Sequence, residues 1–234
     1  MPDSDEHEDL TPLLRSTEFL DHESPQIREF VAKSVQDSSA GDPVRQVVDL
    51  YYAVRDGLFY EVYGADLSRR GLSASSVLAA GQGFCLHKSV LFAAAVRAVG
   101  VPSRLVYADV RNHLASDRLK ELVGGEVFFH SLTSVHLNGR WIRATPVFNK
   151  LLCRLYGMPA LDFDGVTDSQ YHPYDGTGAQ GPSAQMEFLK EHGEFDDLPY
   201  EFVLDSMRRS HPRFLDGSGT VAGGSLAAEA NSRS

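Results

Sequence analysis

The stretch that decides the fold is Gly81-Gln82-Gly83-Phe84-Cys85-Leu86-His87-Lys88-Ser89-Val90-Leu91-Phe92-Ala93-Ala94-Ala95-Val96-Arg97-Ala98-Val99-Gly100. Its two leading glycines admit a tight backbone approach. The Ala, Leu and Val run propagates as helix, and Gly100 before Val101-Pro102 stops it. Cys85 therefore stands in the first helical turn. Apolar residues cover most sides from Leu86 to Val99, as in a central buried helix rather than a surface one. For chemistry at Cys85, the N-terminal end of this helix must open on a cleft.

A thiol at a helix start feels unpaired amides and the helix dipole, which favour the thiolate. That signal alone is weak, because an isolated buried cysteine is more often inert packing. The downstream sequence supplies a partner. Ser103 to Val110 is rich in β-formers and Leu114 to Val123 is helical. Val127 to Leu137 alternates toward Asn138-Gly139, and Arg140 to Pro146 returns as a strand. Asn-Gly between two such runs specifies a two-residue hairpin turn that pairs Leu137 with Arg140. Extended, the register pairs His136 with Trp141, Leu132 with Thr145, and His130 with Val147. A period of two then puts His130, Leu132, Ser134, His136, Trp141, Arg143, Thr145 and Val147 on one face. His130 is the candidate base, taking the Cys85 proton and returning it to the leaving group. His87 follows Cys85 by two residues, points to a different side of the helix, and is set aside.

Outward from this core, Ser24-Pro25 and Asp42-Pro43 each precede apolar residues at helical spacing, which predicts two N-terminal helices. Leu58 to Tyr63 reads as extended, and Ser73 to Leu78 as a short capped helix ending at Gly81. The 234 residues fit one domain, and 42% hydrophobic against 23% charged residues excludes a disordered regulator. The expected organisation is a flexible acidic segment over 1–24, a single domain over 25–215 and a disordered Gly/Ser/Ala-rich tail over 216–234. Within the domain, the core runs from about 73 to 149, with a C-terminal extension over 148–212.

A net charge of -10 without a basic block disfavours nucleic acid and anionic membrane as partners. Val90 to Val96 is far shorter than the roughly 18 apolar residues of a spanning helix. The acidic Met1 to Asp9 lacks the look of a secretory signal, and two isolated cysteines suit a reducing cytoplasm. None of the nine histidines forms an HxxxH or CxxC-type cluster, so no metal and no cofactor are expected.

The ordered set Gly83-Phe84-Cys85, Arg97-Ala98-Val99-Gly100-Val101-Pro102-Ser103-Arg104, His130, and Asn138-Gly139-Arg140-Trp141 leading to Thr145-Pro146 resembles the transglutaminase-like superfamily. The resemblance covers roughly Ser73 to Asn149. It implies an α+β, papain-like cysteine-protease core with an antiparallel sheet, Cys85 as nucleophile and His130 as general base and acid. The sequence departs from that pattern at the third residue, where the family's orienting Asp falls on Thr145, and at Ser134, where an acid is often found. The Thr145 hydroxyl can accept an imidazole N–H on the expected register but carries no charge. Losing the orienting charge in a serine-protease triad costs about 10⁴ in turnover, so Asp162, Asp164 and Asp168 on the following loop are alternative third acids.

That loop lacks the twelfth-position Glu of a calcium site and reads as turns. Tyr171 to Gly176, with His172, is likewise a turn. Cys153, at helical spacing with Phe148 and Leu152, is core packing. The backbone amide of Cys85 is the natural oxyanion donor, with Gln82 a weaker side-chain candidate. The expected function is thiol-dependent acyl chemistry, amide or peptide hydrolysis or acyl transfer through a thioester, on a protein, peptide or small amide substrate. Its rival is a catalytically weakened binding module of the same fold. Acyl transfer from a thioester cofactor is a minor reading, since no phosphate-cradling glycine loop lies near Cys85.

Overall fold

The computed structural model describes residues 9–113, 115, 117–155, 159–169, 186–214, 224–226 and 228. Two helices that begin with proline come first, α1 (Pro25–Ser34) and α2 (Pro43–Gly57). The side chains of Ser24 and Asp42 accept the amides of Ile27 and Arg45, satisfying donors that a helix start leaves free. Then follow β1 (Phe59–Tyr60), α3 (Ala74–Ala80), β2 (Gln82–Gly83) and α4 (Cys85–Ala98), with β1 and β2 paired in parallel. Gly81 ends α3 in the left-handed region at φ 65°, and a Cβ on Gly83 would stand 2.6 Å from the His87 Cβ, so both glycines are required. The expected Ser73 cap is not made. Its hydroxyl bonds the Arg70 carbonyl and the Ser76 hydroxyl instead.

Helix α4 is the hub, with every residue from Cys85 to Arg97 buried. Its polar side chains are tied to backbone. Ser89 Oγ donates to Ser131 O, Lys88 Nζ to the carbonyls of Arg55 and Leu58, and Arg97 to those of Arg15 and Ser103. Such bonds offset the cost of burying polar groups. Burial still pushes the Lys88 ammonium down to about 7.

The rest of the chain is β3 (Ser103–Asn112), α5 (Asp117–Val123), β4 (Val127–Leu137), β5 (Arg140–Ala144), α6 (Lys150–Leu155), β6 (Met186–Phe195) and α7 (Tyr200–Ser210). Four strands form an antiparallel sheet in the order β5-β4-β3-β6, and α4 packs against β4 and β3. Together with the helices this is the expected α+β architecture. The hairpin turn has Asn138 at φ 51° and Gly139 at φ 76°, the positive values that an Asn-Gly turn supplies. Leu137 pairs with Arg140 and His136 with Trp141, as expected.

The ladder ends at Thr133 and Ala144, so the expected Leu132–Thr145 and His130–Val147 pairs do not form. Pro146 has no N–H to carry the pairing on. Ala144 bridges Ser169 in parallel instead, and the Tyr51 hydroxyl donates to the Thr145 carbonyl at 3.2 Å.

Two further departures concern the ends. Residues 9–24, expected to be flexible, carry a short 3-10 helix (Thr11–Leu14) and bury Leu13, Phe19 and Leu20. Isolated apolar residues show no periodicity, and pattern reading therefore passes over them. Of the expected tail, the described residues include Leu226, which is buried, while Tyr171 to Gly176 lie outside the described residues. β6 is also missing from the sequence reading. Its Glu187, Lys190, Glu191 and Glu194 hide the apolar alternation, as charge does on many edge strands. Among the described residues no helix is long and apolar enough to cross a membrane, and no three His, Cys, Asp or Glu side chains group as a metal site.

Candidate active site

Cys85 is the first residue of α4, and the residue before it, Phe84, contributes no side-chain cap. The helix-start donors are therefore free for other work. The backbone of Ser131 on β4, and that of Leu86 and Cys85 itself, favours the thiolate. Sγ lies 4.0 Å from the carbonyl oxygen of Phe129. The thiol thus sits against the backbone on either side of His130.

Burial pushes this thiol up to about 12, those backbone groups opposing it. A helix terminus is worth up to about 2 kcal/mol where it is partly buried, under two pH units at 1.36 kcal/mol each, and does not offset a rise from 9.0 to about 12. The expectation of a thiolate primed by the helix start is corrected on that ground. At about 12 the Cys85 thiol is pushed toward its neutral form at pH 7.

His130 pairs with Ala108 across β4 and β3 and lines the same cavity as Cys85. Only 4% of it is exposed; burial pushes the imidazole down to about 4, and Nε2 has no hydrogen-bond partner. Thiol and imidazole thus face one cavity as a neutral pair with no bond between them. A neutral imidazole with an unused ring nitrogen is the form that accepts a proton, and catalytic hydrogen bonds often tighten only when substrate enters.

The supporting residues are placed differently from the expectation. Thr145 is buried, but its Oγ1 has no partner and does not bond His130; Ser134 Oγ is likewise unpartnered. Early termination of the hairpin ladder removes the register that put Thr145 beside the imidazole. Asp162 pairs with Arg55 Nη1 at 3.2 Å, and Asp164 accepts the amides of Val166 and Thr167. Those bonds hold the Asp164 carboxyl below the usual carboxylate range. Both acids line a hollow with Tyr52 and Lys150, apart from the Cys85 cavity. Asp168 accepts the Arg143 amide at 2.9 Å.

Gln82 is exposed and lines another pocket with Asp66 and His87, so the structure does not bring it to Cys85. His87 is fixed there by Nε2 at 3.0 Å from the Asp66 carbonyl, with burial pushing its imidazole down to about 4. Cys153 is buried, its Sγ 3.6 Å from Phe148 O, and His172 lies outside the described residues.

Together with its mouth, the cavity at Cys85 encloses about 780 Å³ between atoms, of which about 60 Å³ is open to the centres of water molecules. Its walls come from segments the sequence reading did not connect with Cys85: Tyr60 and Val62, Met186 on β6, Met207 on α7, and Phe214 and Leu226 beyond it. For Leu226 the one available signal is a large apolar residue among small ones.

A cysteine opening a buried helix, set against an antiparallel strand whose histidine shares its cavity, is the layout of a papain-like thiol-dependent core. The family model of the transglutaminase-like superfamily matches residues 31–146. That match supports a general class, thiol-dependent hydrolases and transferases, without one substrate or reaction.

Two solved structures are similar. The "Putative Cysteine Protease" from Cytophaga hutchinsonii matches 62% of this chain at 17% identity, with a TM-score of 0.46. A "putative protease" from Parabacteroides distasonis matches 58% of it at 17% identity, with a TM-score of 0.36. The matched regions span 44% and 26% of those two proteins. Among curated proteins nothing matches.

Proposed function

We propose that the chain performs thiol acyl chemistry, with Cys85 as nucleophile and His130 as its base and acid. The observation that carries this reading is the shared cavity: Cys85 at the head of α4 and His130, whose Nε2 is unpaired, both line it. As a substrate carbonyl displaces water there, Nε2 takes the thiol proton and Sγ attacks the carbonyl carbon. The Cys85 amide at the helix start is the oxyanion donor. His130 then protonates the leaving amine or alcohol, and water or a second amine resolves the thioester. The substrate is a protein, a peptide or a small amide, and hydrolysis and transfer are alternative fates of one intermediate. Two free thiols fit a reducing compartment such as the cytoplasm. Incubation with an activated acyl donor followed by intact-protein mass spectrometry tests this reading. A single acyl adduct on Cys85, absent from Cys85→Ala, is expected, and no adduct at Cys85 overturns it.

A second reading, a binding module that keeps the fold, has its own support. Thr145 and Ser134 stand where the family's acids fall, and neither bonds His130. Under that reading Cys85 is never acylated, and the same experiment decides.

A further inference from the structure

We infer that the cavity at Cys85 is an acyl-chain subsite that selects donors with an apolar acyl group, aliphatic and medium in length. The inference rests on the thiol reading above and names the substrate class of that site. Among the described residues, no Asp, Glu, Lys or Arg lines the cavity. Aromatic and aliphatic side chains such as Phe84, Val110, Leu119 and Phe148 make most of its wall. The His211 ring is already committed, with Nδ1 3.0 Å from the Val123 carbonyl and Nε2 accepting the Phe129 amide at 3.0 Å. A charged group would be dehydrated there without an ion to meet it, whereas methylenes gain by leaving water. Besides the two histidines, Cys85 and the methionine sulfurs, only Asn112 and Tyr60 among the described residues bring polar side chains to the wall.

The chain itself adds an aliphatic side chain to the wall of the cavity. Leu226 lines it with 3% of its surface exposed, brought there from far along the sequence. Its amide donates to the Glu61 carboxylate at 3.0 Å, and the same carboxylate accepts the amides of Val62 and Tyr63. An aliphatic side chain is thus part of the wall that Cys85 shares, with the backbone amide of Leu226 held by the Glu61 carboxylate. Leu151 and Leu155 on α6 are exposed, on the helix whose Leu152 reaches the wall, so apolar surface continues outside the cavity.

The reaction balances without a co-reactant other than water. Sγ bonds the acyl carbon, the acyl–oxygen bond of an ester donor breaks, and the thiol proton passes through His130 to the leaving oxygen. Water then cleaves the thioester, giving the carboxylic acid and restoring the thiol.

The test uses the full chain and p-nitrophenyl acetate, butyrate, hexanoate and octanoate, with Cys85→Ala subtracted. The expected result is a kcat/KM that climbs about fourfold per methylene until the cavity is full, at least tenfold from acetate to hexanoate. Val110→Phe, which fills part of the wall, is expected to lower the hexanoate-to-acetate ratio at least tenfold. Cys85-dependent release of p-nitrophenol with no rise along the series overturns the subsite and leaves the thiol chemistry standing. No Cys85-dependent release from any ester overturns the thiol reading, and the subsite with it. Should Val110→Phe fail to fold, the wild-type series decides alone.

Discussion

The sulfur of Cys85 lies 4.0 Å from the carbonyl oxygen of Phe129, so the thiol is lodged on the backbone of the strand that carries His130 rather than on its imidazole. In that position two groups of opposite titration behaviour are both neutral, the thiol pushed up to about 12 and the imidazole down to about 4, each by burial. In the proposed mechanism, proton transfer between them is therefore an event that substrate brings about.

Alkylation of Cys85 by iodoacetamide is accordingly expected to be slow at pH 7. A protonated thiol gains thiolate about tenfold per pH unit below its pKa, so the rate should still be climbing at pH 10. Cys153, which burial pushes up to about 11, is expected to label at a comparably slow rate. Peptide mapping after timed quenching reads both sites. A plateau below pH 8.5 would show a preformed ion pair and sink this description.

Removing the base should cost acylation by about 10² or more, the usual range for a lost general base. His130→Ala tests this in single-turnover acylation. His87→Ala is the comparison, since His87 is held by the Asp66 carbonyl in a separate pocket and is expected to leave acylation within about threefold. Reversal of the two effects would move the base to His87.

Thr145→Val is expected to stabilise the protein. Its Oγ1 is buried without a partner, and an unsatisfied hydroxyl costs about 1–3 kcal/mol. A gain of about 1 kcal/mol raises the melting temperature by roughly 2–4 °C for a domain of this size. Acylation at Cys85 should change by less than about threefold. A tenfold drop in acylation instead would show that the hydroxyl orients His130 once substrate is bound.

Asp162→Asn and Asp164→Asn are expected to leave acylation unchanged, because both carboxylates are engaged around a different hollow. Asp164→Asn should cost stability slightly, its turn losing an ionised acceptor. A large loss of acylation in either variant would make that acid the third catalytic residue.

Stability should also fall as pH drops from 6.5 toward 4. Burial lowers both His130 and His87 in the folded state, so between about 4 and 6.5 the unfolded chain binds the extra protons and is favoured. Their contribution is complete above 6.5 and is lost on acidification. Urea midpoints measured across that range, compared with His130→Leu and His87→Leu, should show a shallower slope in each variant. An unchanged slope in both would place the acid sensitivity elsewhere.

By itself the sequence determined the parts whose causes are local. Gly81, the apolar run after Cys85 and Gly100 set the ends and burial of α4. Asn138-Gly139 set the hairpin and its first pairs, because a two-residue turn admits one register. Cys85 and His130 were therefore legible as candidates. Tertiary structure alone decided what surrounds them. Thr145 left the ladder when Pro146 ended it and Tyr51, from a distant helix, took its carbonyl. β6 joined β3 although its charges hide its alternation, and Leu226 reached the cavity from a stretch of small residues. The titration of the site followed the same rule. Dehydration of Cys85 and His130 depends on which remote atoms exclude water from them, and no spacing along the chain encodes that.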